Sequence, residues 1–253
     1  MVFLMVLLQI SRIFNFATSL TLKPLPGKPR GRFLWSHKSC KSDRIRTARK
    51  KSKSGIYHII LRGVNRQTIF EDEEDTVKFL QTLEDYKEKS GYKVYEYCLI
   101  GNHIHLLLKE EKEELGVIMR RIGASYVYWY NWKYSRCGHL FQDRYKSEVV
   151  EDERYFLTVL RYIHQNPLKA GIVKDVAAYR WSSYSEFIEK NKIIDIDFVL
   201  GLFSNDRKKA VDSFKAFHEI SSNVNCLDIK ENRRLTDVEA IEYKKNMQCT
   251  SLH

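Results

Sequence analysis

The stretch Tyr97-Cys98-Leu99-Ile100-Gly101-Asn102-His103-Ile104-His105-Leu106-Leu107-Leu108 carries most of the information about the fold. Apolar runs typical of buried strands flank Gly101-Asn102, and a short Gly/Asn turn between such runs indicates a β-hairpin. Side chains alternate along a strand, so we expect His103 and His105 to point to the same face. Two imidazoles on one face of a strand can hold a single divalent cation.

The segments around this hairpin predict further strands and helices in a regular order. Period-two alternation and β-branched residues indicate strands, and apolar residues at helical spacing indicate helices. In chain order the predicted elements are strand 56–62, helix 72–90, strands 92–100 and 103–109, helix 113–134, strand 146–150 and helix 151–165. This order predicts an α+β, ferredoxin-like or RRM-like split βαβ fold, whose antiparallel sheet has helices on one face. We expect helix 151–165 to be an additional, catalytic helix beside the open face.

Charge and composition divide the chain into three parts. The net charge is +11, but residues 23–53 hold twelve basic residues and one acid, whereas residues 54–253 hold 30 basic and 31 acidic ones. Three prolines and two glycines also lie within 23–54, which is typical of disorder. We expect a basic, disordered extension over 1–54, the catalytic domain over 55–190, and a small helical C-terminal extension over 191–253 with helices at 197–203, 205–221 and 235–247.

One basic patch lies inside the predicted domain, at residues 119–146. Six basic residues and eight aromatic ones accompany a single acid there. Arginine and lysine pair with phosphates, and aromatic rings stack on unpaired bases. The alternative is an ordinary core helix with solvated charges. With two further cations near the catalytic helix, the residues that we expect to contact nucleic acid are Arg120, Arg121, Tyr126, Arg144, Lys146, Arg161 and Lys169.

The remaining composition points to a cytoplasmic protein. The five cysteines are odd in number and form no C-x-x-C pair, so neither a disulfide framework nor a zinc knuckle is indicated. The apolar start of the chain, within residues 1–22, is interrupted by polar residues and has no basic residue ahead of it. It is too short and too interrupted for a membrane span, and a weak export signal is the less favoured alternative.

A tyrosine and an amide near the end of helix 151–165 complete the candidate site. Tyr162 and Asn166 are i and i+4 neighbours, so they share a helix face. A phenolate can attack phosphorus, and Arg161 or Lys169 would lower its pKa. Two imidazoles and the Asn166 oxygen would suit Mg²⁺ or Mn²⁺ with water and a substrate phosphate. Taken singly, each residue has a structural alternative: buried histidines, a core tyrosine, and a helix cap before Pro167.

Residues 48–188 resemble the HUH single-tyrosine transposases of the insertion-sequence 200-like group, and most closely the REP-associated branch. The resemblance is carried by six motifs. They are Gly55-Ile56-Tyr57-His58, Arg62-Gly63-Val64-Asn65-Arg66, Asn102-His103-Ile104-His105-Leu106-Leu107, Gly138-His139-Leu140-Phe141-Gln142-Asp143-Arg144-Tyr145-Lys146-Ser147, Tyr162-Ile163-His164-Gln165-Asn166-Pro167-Leu168-Lys169-Ala170-Gly171 and Trp181-Ser182-Ser183-Tyr184. Gly101 departs from the pattern, since the family usually has proline there. Residues 1–47 match nothing in the family, and the C-terminal extension is shorter than that of longer relatives.

The resemblance implies a role for each matched residue. His103 and His105 would bind the metal, Asn166 would be the third ligand, and Tyr162 would form a 5′-phosphotyrosine while freeing a 3′-OH. The substrate would be single-stranded DNA beside a hairpin, either a REP-like hairpin or an element end, cut and rejoined by a monomer or a homodimer. Tyr155 is the rival nucleophile. Two alternatives stay open: an inactive or domesticated nucleic-acid-binding module, and a metal-dependent phosphodiesterase that uses water.

Overall fold

The computed structural model describes residues 49–189, 193–220 and 226–227, and these ranges contain four strands and five α-helices. The strands are β1 (Ile56–Arg62), β2 (Lys93–Ile100), β3 (His103–Lys109) and β4 (Lys146–Val149). The helices are α1 (Glu73–Ser90), α2 (Leu115–Lys133), α3 (Glu153–Lys169), α4 (Ile196–Gly201) and α5 (Arg207–Glu219). The predicted order of elements is confirmed, while the expected helix at 235–247 and most of the expected extension over 1–54 lie outside the described residues.

The strands form one antiparallel sheet in the order β2-β3-β1-β4. Strand β3 is inserted between β1 and β2 and pairs with both of them, while β4 pairs with the outer side of β1. Insertion of one strand between the two that flank the first helix is the split βαβ arrangement. The predicted α+β, ferredoxin-like fold is therefore confirmed.

Strand register decides which side chains share a face of the sheet. Arg62 lies opposite His103, Ile60 opposite His105, and His58 opposite Leu107. Directly opposed residues in an antiparallel pair point to the same face, so His58 lies on the face that carries both predicted histidines. Helix α3 covers part of this face, and α1 and α2 pack together against the other one.

The free edge of β2 is closed by the segment that follows α3. Leu99 N donates to the carbonyl of Trp181 at 2.9 Å, and Tyr97 N donates to Ser183 Oγ at 3.1 Å. An uncovered edge strand exposes unpaired backbone groups that can pair with another chain. The Trp181-Ser182-Ser183-Tyr184 motif therefore has a structural role at this edge.

Gly63, directly after β1, joins three segments beside the histidines. Its N–H donates to the carbonyl of Asn102 at 2.9 Å, and it forms an isolated bridge with Phe141. A Cβ at this position would lie 2.2 Å from the Gln67 carbonyl oxygen, closer than a methyl group can approach. Glycine is required here because the backbone of the following turn passes so near.

Helix α3 is longer than the sequence predicted. It begins at Glu153, where Asp152 accepts from Tyr155 N at 2.7 Å, and it runs through Pro167 to Lys169. The prediction that it ends at Gln165 is therefore wrong. Proline lacks an N–H, but its ring is tolerated in this last turn, where the carbonyls of Asn166 and Pro167 still accept from Ala170 N and Ile172 N at 2.9 Å.

No helix in the part of the chain that the structure describes combines the length and apolar character needed to cross a bilayer.

Candidate active site

His103 and His105 lie side by side at the start of β3. Their ring centroids are 5.1 Å apart, His105 is buried, and His103 is half-buried beside the turn. His103 Nδ1 lies 2.6 Å from Asn102 Oδ1, so the neighbouring amide orients its ring. The predicted shared face of the two histidines is confirmed by the register of β3 against β1 and β2.

A third histidine, His58 on β1, belongs to the same cluster. Its Nε2 lies 3.1 Å from His105 Nδ1, and the two rings stack with centroids 5.4 Å apart. The bond occupies Nδ1 of His105, which leaves Nε2 as the nitrogen that can bind a metal. Sequence reasoning missed His58, although the alternation of β1 could have placed it on the correct face once the register was known.

Burial keeps His58 and His105 neutral. Loss of solvation lowers the pKa of His58 to about 3 and holds the pKa of His105 well below its usual value. A neutral imidazole is the form that ligates a metal, because a protonated ring has no free lone pair. The fold therefore presents His105 in the ligating form across the physiological pH range.

Tyr162 projects from α3 onto these histidines. The centroid of its ring lies 5.9 Å from that of His58 and 5.9 Å from that of His105, and the residue is 6% exposed. Lys169 Nζ lies 4.8 Å from the centre of the same ring. The structure therefore brings together a tyrosine, a buried histidine pair and a cation, from one helix and two adjacent strands of a single chain.

Asn166 follows one turn later on α3 and is half-buried. Its Nδ2 donates to the carbonyl of Tyr162 at 3.4 Å, which orients the side chain along the helix. This bond uses the amide nitrogen, so the amide oxygen is the atom that could serve a metal. The arrangement is compatible with the role predicted for Asn166.

The donors present fit a divalent cation that keeps some of its water. Among the residues that the structure describes, no three His, Cys, Asp or Glu side chains converge as a metal site. A site here would consist of His103, His105 and the Asn166 oxygen, a mixed N/O set with open positions. Such a set suits Mg²⁺ or Mn²⁺ with a substrate phosphate better than it suits structural zinc.

A buried polar cluster behind α3 fixes the helix in place. His164 Nδ1 lies 3.0 Å from His218 Nε2 and 3.1 Å from Glu96 Oε1, and His164 Nε2 lies 3.2 Å from Ser183 Oγ. His164, Glu96 and Ser183 are fully buried. Because these groups belong to α3, β2, α5 and the edge segment, the cluster ties α3, and with it Tyr162, to the sheet.

Tyr155, the rival nucleophile, has different partners. Its hydroxyl interacts with Glu148 on β4 and with Cys226, and burial followed by the Glu148 hydrogen bond raises the pKa of Tyr155. A phenol with a raised pKa beside a carboxylate is a poor source of phenolate. These contacts favour Tyr162 over Tyr155 as the reactive tyrosine.

Two predicted DNA contacts lie across β1 from the histidines. Arg144 and Lys146 line a small cavity of about 50 Å³ with Ile60, Arg62, Gln142 and Asp143. Ile60 and Arg62 lie opposite His105 and His103, so β1 separates this cavity from the histidine pair. Arg62 is a further cation here that sequence reasoning did not select, and its position opposite His103 became visible only with the strand register.

The other predicted contacts are spread over the molecule. Arg120 and Arg121 are exposed on α2, behind the sheet. Arg161 packs against α5, where its guanidinium lies 3.7 Å from the centre of the Phe217 ring. Tyr126 is fully buried, and its hydroxyl donates to the Ile69 carbonyl at 2.6 Å. The prediction that Tyr126 contacts DNA is therefore withdrawn, because its ring belongs to the core between α1 and α2.

Residues 51–166 match the sequence model of the IS200-like transposases. The matched segment contains His58, His103, His105, Tyr162 and Asn166. This part of the chain is therefore similar to the IS200-like transposases. The matched segment begins just before β1 and extends to Asn166 on α3.

Two solved structures are similar to part of this chain at low identity. A REP-associated tyrosine transposase bound to a REP hairpin matches at 16% identity with a TM-score of 0.49, covering 57% of this chain and 85% of the other. A protein from Deinococcus radiodurans R1 described as a transposase matches at 16% identity with a TM-score of 0.35, covering 48% and 97%. No curated protein matches the chain.

Proposed function

We propose that this domain cleaves and rejoins single-stranded DNA beside a hairpin, with Tyr162 as the nucleophile. The observation that carries the proposal is the position of Tyr162. Its ring packs against both His58 and His105, on the face of the sheet that carries the histidines. The family match supports a transposase role. The motifs that resemble the REP-associated branch support a REP-like or element-end hairpin as the substrate.

In the proposed cleavage step, Tyr162 Oη attacks the scissile phosphorus. A bond forms between Oη and phosphorus, the bond from phosphorus to the 3′ oxygen breaks, the phenol loses its proton, and the 3′ oxygen gains one. The products are a 5′-phosphotyrosine and a free 3′-OH. Rejoining is the reverse step with another 3′-OH, so the bond energy is conserved and no nucleotide cofactor is required.

The surrounding side chains have distinct roles in this scheme. His103, His105 and Asn166 would hold Mg²⁺ or Mn²⁺, which when bound would polarise the phosphate and offset its developing negative charge. Lys169, 4.8 Å from the centre of the Tyr162 ring, favours the phenolate by its charge. Arg144 and Lys146, with Arg62, supply cations along the path of the strand.

The proposed site lies within a single chain. Tyr162 is held by the His164 cluster against strands of its own sheet, so one copy supplies the nucleophile and the histidines. We therefore propose that a monomer is competent for cleavage.

Formation of a covalent adduct tests the proposed function. A hairpin-bearing single strand labelled at its 3′ end, incubated with protein and Mn²⁺, should give a labelled protein band on a denaturing gel. The band should disappear in Tyr162→Phe and remain in Tyr155→Phe. Cleavage without a band would favour a phosphodiesterase that uses water, and binding without cleavage would favour an inactive binding module.

A further inference from the structure

Two aromatic side chains on α2 are unusually exposed. Tyr128 is 78% exposed and Trp132 is 75% exposed, more than any other large hydrophobic residue in the described part of the chain. They are i and i+4 neighbours, so they share one stripe of the helix and are separated by about 6 Å along its axis. Large aromatic rings are costly to leave in water, and an exposed cluster of them marks a binding surface.

The charge along this stripe is positive. Helix α2 contains no acidic residue, and Arg121 lies about two turns before Tyr128 on the same stripe, while Arg120 lies about 100° farther round the helix. Arg121 is paired with Glu113 at 2.6 Å, whereas no carboxylate among the described residues forms an ion pair with Arg120. The exposed surface of α2 thus combines two flat apolar rings with the paired Arg121 on the same stripe and with Arg120 beside it.

The aromatic half of α2 is linked to the end of the sheet where the histidines lie. Tyr126 donates to the Ile69 carbonyl at 2.6 Å, and Ile69 N donates to the carbonyl of Gly101 at 2.7 Å. Gly101 belongs to the turn that leads directly into His103. Tyr126 lies on the core side of α2, whereas Tyr128 and Trp132 lie on its solvent side, so the stripe forms a contact surface separate from the candidate site.

We propose that Tyr128 and Trp132 form a stacking platform for unpaired bases of the single-stranded DNA substrate. This inference rests on the proposed function and adds a second contact surface to it. Aromatic faces accept any base, and a nearby cation pairs with the backbone, which is how proteins hold single strands without reading sequence.

Binding of fluorescein-labelled oligothymidylate, followed by anisotropy at several salt concentrations, tests the platform. Tyr128→Ala and Trp132→Ala should each weaken binding roughly tenfold, whereas Tyr128→Phe and Trp132→Phe, which keep a ring, should bind nearly as the unmodified protein does. The matched control is Val77→Ala, which removes exposed apolar surface from α1.

Salt dependence separates stacking from charge. The alanine variants at the two rings should leave the slope of log affinity against log salt unchanged, because they remove no phosphate contact. Arg120→Ala should reduce that slope by about 0.7, the value for one phosphate contact on a single strand. Thermal unfolding of each variant should match that of the unmodified protein, since these side chains are exposed.

The outcomes also separate the platform from the proposed chemistry. Val77→Ala should form the covalent adduct to the same extent as the unmodified protein, since it lies outside the proposed site and the proposed platform. If Tyr128→Ala and Trp132→Ala bind DNA with unchanged affinity, the platform is overturned. Adduct formation by the unmodified protein would still uphold the proposed function in that case. Weakened binding in these two variants, without any adduct in the unmodified protein, would uphold the platform and overturn the proposed function. Self-association that Trp132→Ala abolishes, with unchanged DNA affinity, would identify the stripe as a contact between copies and overturn the proposal.

Discussion

His58 Nε2 lies 3.1 Å from His105 Nδ1, and this contact between two buried imidazoles determines how His105 can act. For His105 to bind a metal through Nε2, its proton must reside on Nδ1 and be donated to His58. His58 must then carry its own proton on Nδ1, a buried atom that has no hydrogen-bond partner within the described protein. The metal-ligating tautomer of His105 thus depends on a histidine from the neighbouring strand.

Replacement of His58 should weaken metal binding without removing a ligand. His58→Phe takes away the acceptor that fixes the ring and tautomer of His105, and loss of such a partner typically costs 10–100-fold in metal affinity. His58→Asn should recover part of that loss, because its amide oxygen can accept from Nδ1–H. Titration of Mn²⁺ into the DNA-free protein by calorimetry measures both effects.

Val77→Ala, far from the histidines on α1, is the control for nonspecific changes in metal binding. Thermal unfolding shows whether each His58 variant is folded at the temperature of the titration. Equal Mn²⁺ affinity in His58→Phe and the unmodified protein would contradict this role for His58.

Tyr126→Phe should lower stability and leave DNA binding unchanged. The substitution removes the hydrogen bond to the Ile69 carbonyl, a loss of about 0.5–1.5 kcal/mol, and leaves a buried acceptor unsatisfied. Urea unfolding measures the free energy, and anisotropy measures the affinity for a single strand. A loss of affinity in fully folded Tyr126→Phe would contradict this assignment and indicate that Tyr126 contacts DNA.

Stability should fall as the pH drops below about 6.5, the ordinary pKa of histidine. Burial lowers the pKa of His105 and His164 well below that value, and lowers the pKa of His58 to about 3 and of His218 to about 4. In this range the unfolded chain binds protons that the folded protein does not, so the free energy of unfolding decreases as the pH falls. Each histidine contributes at most about 1.4 kcal/mol per pH unit.

One carboxyl opposes this trend. Burial raises the pKa of Glu96, so between its ordinary and raised values the folded state keeps a proton that the unfolded state has lost. That difference favours folding as the pH falls. The four histidines together lower the free energy of unfolding by more than Glu96 raises it. Urea unfolding at pH 7.5 and pH 5 should show the loss of stability, and His218→Gln should reduce it. A free energy that is equal at both pH values would contradict the buried neutral state of these histidines.

The sheet could be predicted from the sequence because its signals are local. The turn at Gly101-Asn102 and the alternation on either side of it define the β2–β3 hairpin, and the split βαβ order follows from the helices between strands. The role of His58 was not accessible in the same way. It depends on the register of β1 against β3, and a shift of one residue would turn His58 to the other face.

Helix α2 shows a second limit of the sequence. Its aromatic residues occur on every side of the helix, so periodicity does not determine which of them face the core. Packing against α1 settles the orientation, placing Tyr126 inside and Tyr128 and Trp132 outside. Likewise, Pro167 is an ordinary stop signal, but the carbonyls of Asn166 and Pro167 still accept backbone hydrogen bonds, so α3 completes its last turn.

The most direct test of the central claim is to locate the covalent bond in the protein–DNA adduct by mass spectrometry. Trypsin cleaves after Arg154, Arg161 and Lys169, so it separates the peptide 155–161, with Tyr155, from the peptide 162–169, with Tyr162. After nuclease digestion, we expect a nucleotide on Tyr162, identified by fragment ions even if the adduct blocks cleavage at Arg161. A nucleotide on Tyr155, or on neither peptide, would contradict it.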